Sequence, residues 1–148
     1  MQPDTAAIQV KADEAYRSLR LSEALSAYQQ WAEADPASYE AALGITRTLT
    51  RMRRTQEAHA AASDLLELDP TRWEGHAALG TLHFLTDHYD DAREALRRAE
   101  ELAPTEPEPR LTMAQLLADT GDYTGAHTAL NQGRALIGAT RTDSAREE

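Results

Sequence analysis

Apolar residues return along this chain at the spacing of a helical turn. In "SEALSAYQQWAEAD", Ala24, Ala27, Tyr28 and Trp31 stand at i, i+3, i+4 and i+7, which lays them in one stripe of an α-helix. Ala92, Ala95, Leu96 and Ala99 repeat the stripe further on, and "WEGHAALGTLHFL" puts His76, Leu79, Gly80 and His83 on one face. Proline removes a donor and disfavours helix in the residue before it, so Pro36, Pro70 and Pro104 separate one pair of helices from the next. The pattern predicts an all-α chain of eight helices in four hairpins, running from about Thr5 to about Ile137.

The separators are periodic. Pro36, Pro70 and Pro104 are 34 residues apart and close the similar phrases "WAEADP", "LLELDP" and "EELAP". Ala24, Ala58 and Ala92 each stand 12 residues before one of these prolines, and Ala126 continues the series toward Gly138. The clearest unit, Trp73 to Glu106, carries Leu79-Gly80, Tyr89, Ala92, Ala99 and Pro104. This pattern resembles the tetratricopeptide repeat family, whose unit holds a Leu-Gly pair, a Gly-x-Tyr turn, alanines and a closing proline. The other units lie at Thr5 to Ser38, Tyr39 to Arg72 and Pro107 to Thr140. The resemblance implies an α-solenoid, a right-handed superhelix of stacked hairpins with a concave surface. It covers residues 5–138 as a single domain.

The repeats depart from the family pattern in places. Trp31 stands where the family usually has alanine, which implies looser or shifted packing between the first two hairpins. Leu43-Gly44 lies two residues early relative to Ala58 and Pro70; it is not the family's pair, and Ala42, Ile45, Thr46 and Leu49 form the inward stripe there. In the last helix, Thr124, His127, Thr128, Asn131 and Arg134 share an outer face suited to capping the array. The segment "ATRTDSAREE", 139–148, is polar and without apolar period, and is expected to be disordered.

Composition narrows the function. The 148 residues hold 25 acidic against 15 basic side chains, a net charge of −10 that repels nucleic-acid phosphates and anionic lipid surfaces. With no cysteine, thiolate catalysis and thiolate metal sites are excluded. No 18-residue apolar run and no basic leader followed by an apolar stretch occur, so a soluble, cytoplasmic protein is expected. Lys11 is the one lysine beside many arginines, a bias of GC-rich, most often bacterial genomes. No HExxH, GxSxG, phosphate-binding loop or GxGxxG appears, so neither a cofactor nor an enzymatic role is expected.

Two stretches carry candidate chemistry. "HFLTDHYDDA" offers His83, Asp87, His88, Asp90 and Asp91 as cation ligands, yet the repeat places His83 on the inward face of a helix end. The aspartates then fall where capping and the helix dipole favour them, and the stretch reads as structural rather than as a metal site. "RTLTRMRR" is basic in an acidic chain. Its bland reading is a solvated helix end, while Arg47 and Arg51, four apart, are able to present side by side to a carboxylate.

In the resembled family the first helix of each unit lines the concave groove that takes extended peptides or partner helices. Mapped here, that groove holds Gln9, Asp13, Tyr16, Arg17, Leu43, Arg47, Arg51, Glu74, Phe84, Leu85, Leu111 and Gln115. Arg17, Arg47 and Arg51 are the expected charged contacts, and Phe84 and Leu85 the apolar anchors. Family members that grip the C-terminal carboxylate of heat-shock chaperones use Lys, Asn and Arg on successive first helices. The matching Gln9, Asp13, Gly44, Glu74 and Ala78 do not supply that set, so no such clamp is expected. A non-enzymatic scaffold or adaptor for a protein partner is the leading expectation. The alternatives are a self-assembling homo-oligomer and a small bacterial chaperone for one client.

Overall fold

The computed structural model describes residues 4–146. Those residues form eight helices and no strand: α1 (Thr5–Arg17), α2 (Leu21–Ala34), α3 (Tyr39–Arg51), α4 (Thr55–Leu68), α5 (Trp73–Leu85), α6 (Tyr89–Leu102), α7 (Pro107–Asp119) and α8 (Tyr123–Arg146). Contacts divide the chain into two compact units, Met1–Thr71 with α1–α4 and Arg72–Glu148 with α5–α8, where the sequence pattern suggests one domain.

The turns inside the hairpins share one geometry. Leu19, Arg53, Asp87 and Gly121 have φ of 60°, 60°, 62° and 89°, and they recur every 34 residues. The residue after each reaches back five positions: Arg20 N–H donates to the Ala15 carbonyl (2.9 Å), Arg54 to Leu49 (3.1 Å), His88 to His83 (2.8 Å) and Asp122 to Leu117 (2.8 Å). This is the Schellman closure, whose left-handed residue is ordinarily glycine. Only Gly121 meets that preference; Leu19, Arg53 and Asp87 hold the conformation against Cβ crowding. The second turn therefore has the same length as the others. Asp87, expected near a helix cap, is instead the left-handed turn residue, and its carboxylate accepts from the Tyr89 hydroxyl at 2.9 Å.

In the first unit, small and aromatic side chains interlock. Ala12, Ala15, Ala24, Ala27 and Ala41 pack with Tyr28 and Trp31, joined by the half-buried Ile8, Tyr16 and Ile45. Trp31 is 7% exposed and stacks on Tyr28, ring centroids 6.4 Å apart. It fits because Ala41 and Gly44 on α3 are small. Tyr39, Leu43 and Leu65 form a second cluster between α3 and α4. In the second unit the core is Ala92, Leu96, Met113 and Leu116, with Phe84, Tyr89 and Leu117 packed on it. Each fully buried leucine there contributes about 2 kcal/mol of apolar transfer.

Two glycines show how the repeats differ. A Cβ on Gly80 would meet Leu96 of its own hairpin, whereas one on Gly44 would land in the ring of Tyr28, in the preceding hairpin. Gly44 is thus not the counterpart of Gly80. Thr46 holds that place, buried, with its hydroxyl donating to the Ala42 carbonyl at 2.9 Å.

The last helix exposes Thr124, His127, Thr128, Asn131 and Arg134 and buries Ala126, Ala129 and Gly133. It also runs through the segment expected to be disordered, as far as Arg146. No proline or left-handed turn follows Gly138, and hydroxyls tie the extension to its own backbone: Thr140 donates to Ile137 (2.9 Å), Thr142 to Ala139 (2.8 Å) and Ser144 to Thr140 (3.1 Å). Residues 147–148 of that segment lie outside the described residues.

Candidate functional site

The first unit holds a cleft of about 400 Å³ lined by Gln9, Asp13, Tyr16 and Arg17 of α1, Tyr28 and Trp31 of α2, and Glu40, Leu43, Gly44 and Arg47 of α3. Its floor is apolar and its rim polar. Tyr28 and Trp31 are nearly buried, and Gly44, lacking a side chain, lets the Tyr28 ring lie against α3. Tyr16 meets Tyr28 edge to face at 6.5 Å between ring centroids. The Tyr28 hydroxyl donates to the Asp13 carboxylate at 2.6 Å. Burial above all, then that bond to Asp13 and its negative charge, push the Tyr28 pKa well up from the ordinary 10.0.

The basic stretch separates into two roles. Arg54 pairs with Glu57 through two bonds of 2.9 and 2.7 Å at the start of α4, and Arg53 is the left-handed turn residue; these are helix-end arginines. Arg47 lines the cleft, and the Arg51 guanidinium lies over the Tyr16 ring, 4.5 Å from its centroid. Arg17 reaches only its own helix, donating from Nε to the Asp13 carbonyl at 3.3 Å.

All first-unit residues mapped to the groove except Arg51 therefore line one cleft, and Arg51 stacks on its edge. The second-unit candidates do not come together in this way. Phe84 is no free anchor, because it packs on the α6–α7 core and against the Tyr89 ring at 6.1 Å between centroids. Leu85 is half-buried beside it in sequence. Leu111 fills the space left by Gly133 on α8, and Gln115 is exposed. One Glu74 oxygen takes Arg72 at 3.0 Å, and the other is buried with no hydrogen-bond partner. The cleft residues that the groove mapping leaves out are Tyr28, Trp31, Glu40 and Gly44. Two of them, Trp31 and Gly44, are the very departures from the repeat pattern.

The second unit has other hollows of mixed charge. One, about 520 Å³, is lined by His76, Leu79 and His83 with Asp91, Glu94, Arg97, Arg98 and Glu101. Arg98 and Glu101 pair across 3.2 Å. The His83 and His88 rings stand 6.1 Å apart, and His88 Nδ1 lies 2.9 Å from the Thr86 hydroxyl. Among the described residues, no three His, Asp or Glu side chains are grouped so as to hold a metal ion. No described helix is long and apolar enough to cross a membrane.

Two family models, each described as Tetratricopeptide repeat, match residues 46–107 and 83–137. The chain belongs to the tetratricopeptide repeat family. None of the curated proteins matches it in sequence. Among solved structures, a thermophilic TPR protein of Thermus thermophilus, TTC0263, is similar with a TM-score of 0.84 and 19% identity, over 90% of this chain and 74% of that one. MamA is similar with a TM-score of 0.68 and 22% identity, over 90% of this chain and 73% of that one. The Arabidopsis OM64 TPR domain follows at 0.69 and 16%, over 76% and 93%. At these identities the likeness concerns the fold: this tetratricopeptide repeat chain is an all-α solenoid of helix-turn-helix hairpins. Such repeats are protein-interaction scaffolds in general.

Proposed function

We propose that this chain is a non-enzymatic interaction module that holds a peptide or partner helix in the cleft of its first unit. The observation that carries the reading is the convergence of Gln9, Asp13, Tyr16, Arg17, Leu43 and Arg47 on one hollow with an aromatic floor. Such a floor provides apolar area, and a rim of polar groups fixes orientation, the usual composition of a binding cleft. Membership of a repeat family used as scaffolds supports the same reading. Self-association has no comparable surface, since the large apolar side chains left exposed among the described residues, Val10, Leu19, Leu68, Tyr123 and Ile137, are scattered over α1, one turn, α4 and α8.

Affinity capture from native lysate tests the placement. The wild type and an Arg93→Glu control in the second unit should recover the same partner, while Tyr16→Ala/Arg47→Glu should lose it. Equal recovery by all three would show that the partner docks elsewhere.

A further inference from the structure

We propose, building on the cleft reading above, that the occupant is an acidic peptide segment carrying one large apolar side chain. The apolar group sits on the Tyr28, Trp31, Leu43 and Gly44 floor, and its flanking carboxylates meet Arg17 and Arg47.

Charge complementarity carries the acidic half of this assignment. The chain as a whole is at −10, yet around this cleft three guanidiniums, Arg17, Arg47 and Arg51, stand against two carboxylates, Asp13 and Glu40. Asp13 is moreover engaged, because it accepts the Tyr28 hydroxyl at 2.6 Å and lies beside a rim arginine of its own helix. The cleft is therefore a locally positive spot on an acidic molecule, and arginine forks are suited to bidentate carboxylate recognition. A basic peptide would place its charges against these guanidiniums. An acidic one has its approach to the cleft favoured over the rest of the repelling surface.

Shape carries the apolar half. At about 400 Å³ the cleft is at the small end of ligand hollows, enough for one large side chain and its backbone rather than for a whole helix face. The floor presents the edges of Tyr28 and Trp31, whose rings are held by stacking at 6.4 Å and by the Tyr28–Asp13 bond, so it is formed before the ligand arrives. A preformed floor spares the ordering cost of binding.

Fluorescence anisotropy with labelled synthetic pentapeptides tests the inference. The probes are Glu-Asp-Phe-Asp-Glu, Glu-Asp-Ser-Asp-Glu and Lys-Arg-Phe-Arg-Lys, each blocked at both ends. The acidic phenylalanine peptide should bind at low salt, and about tenfold more weakly when phenylalanine is replaced by serine or when either Arg17→Glu or Arg47→Glu is introduced. Because Arg17 is exposed, its variant should keep the wild-type circular dichroism and melting curve, so a loss there is not a loss of fold. Binding should also weaken as salt is raised from about 25 to about 200 mM, as screening of exposed charges requires. Tighter binding of the basic peptide, enhanced by Arg17→Glu, would overturn the acidic assignment while leaving the cleft as the docking place. Acidic binding unchanged by Arg17→Glu and Arg47→Glu but lost in Arg93→Glu would overturn both.

Discussion

The two units share one hairpin plan and use it differently. In the second, Gly80 admits Leu96 of its own hairpin, and the α6–α7 core is built of Ala92, Leu96, Met113 and Leu116. In the first, the equivalent place is filled by Thr46, a glycine appears two residues earlier, and the space it leaves is taken by Tyr28 of the preceding hairpin. Trp31 then stacks on Tyr28 where the family usually has alanine. Regularity yields a leucine-sealed core. A pair of compensating departures yields an aromatic cleft between α1 and α3.

The difference can be broken most strongly at its regular end. Leu96→Ala removes a fully buried side chain and should cost about 3 kcal/mol of unfolding free energy in urea denaturation, while the Arg51–Tyr16 edge of the cleft is untouched. Next come the glycines. Gly44→Ala pushes a methyl into the nearly buried Tyr28 ring and should cost about 1–2 kcal/mol net of the helix-propensity gain, with a changed Trp31 emission. Gly80→Ala presses on Leu96 instead and should leave that emission as it is in the wild type.

How much of this is legible in the sequence follows from the same contrast. The hairpins, their period and the polar outer face of α8 can be read directly, because periodic alanines and prolines act locally on helix packing and helix ends. Seven positions of the first unit are also legible as groove-facing, since the family places them on first helices. Phe84 reads in the sequence as an anchor because it follows an inward stripe that looks complete, and only the approach of α6 and α7 shows what covers it. Trp31 and Gly44 each look like a separate irregularity, and only the ring of Tyr28 lying between them makes the two one feature. The extension of α8 to Arg146 escapes a reading by pattern because it rests on hydroxyl contacts with its own backbone and has no apolar period.

A smaller effect sharpens the cleft. Tyr28→Phe removes the bond to Asp13 and should cost about 1.5 kcal/mol near neutral pH. The folded state holds the Tyr28 proton more tightly than the unfolded chain, so this residue's contribution is whole below pH 10.0 and declines as pH rises above it. Denaturation midpoints followed from pH 8 to about pH 11 should therefore fall more for the wild type than for Tyr28→Phe. Smallest of all are the turns. Leu19→Gly should stabilise the first unit by about 1 kcal/mol by relieving a left-handed leucine, while Gly121→Ala should destabilise the second by a similar amount, both read from melting curves.

The most direct test of the contrast is a two-dimensional NMR titration with the blocked Glu-Asp-Phe-Asp-Glu peptide, using the two indole N–H signals as reporters. Trp31 lies in the floor of the first unit's cleft and Trp73 at the start of α5 in the second. The Trp31 signal should move, together with the backbone amides of Gln9–Arg17 and Leu43–Arg51, while Trp73 stays in place. Movement of Trp73 and the α5–α7 amides with Trp31 unchanged would contradict the claim that the departures from the repeat built the binding site.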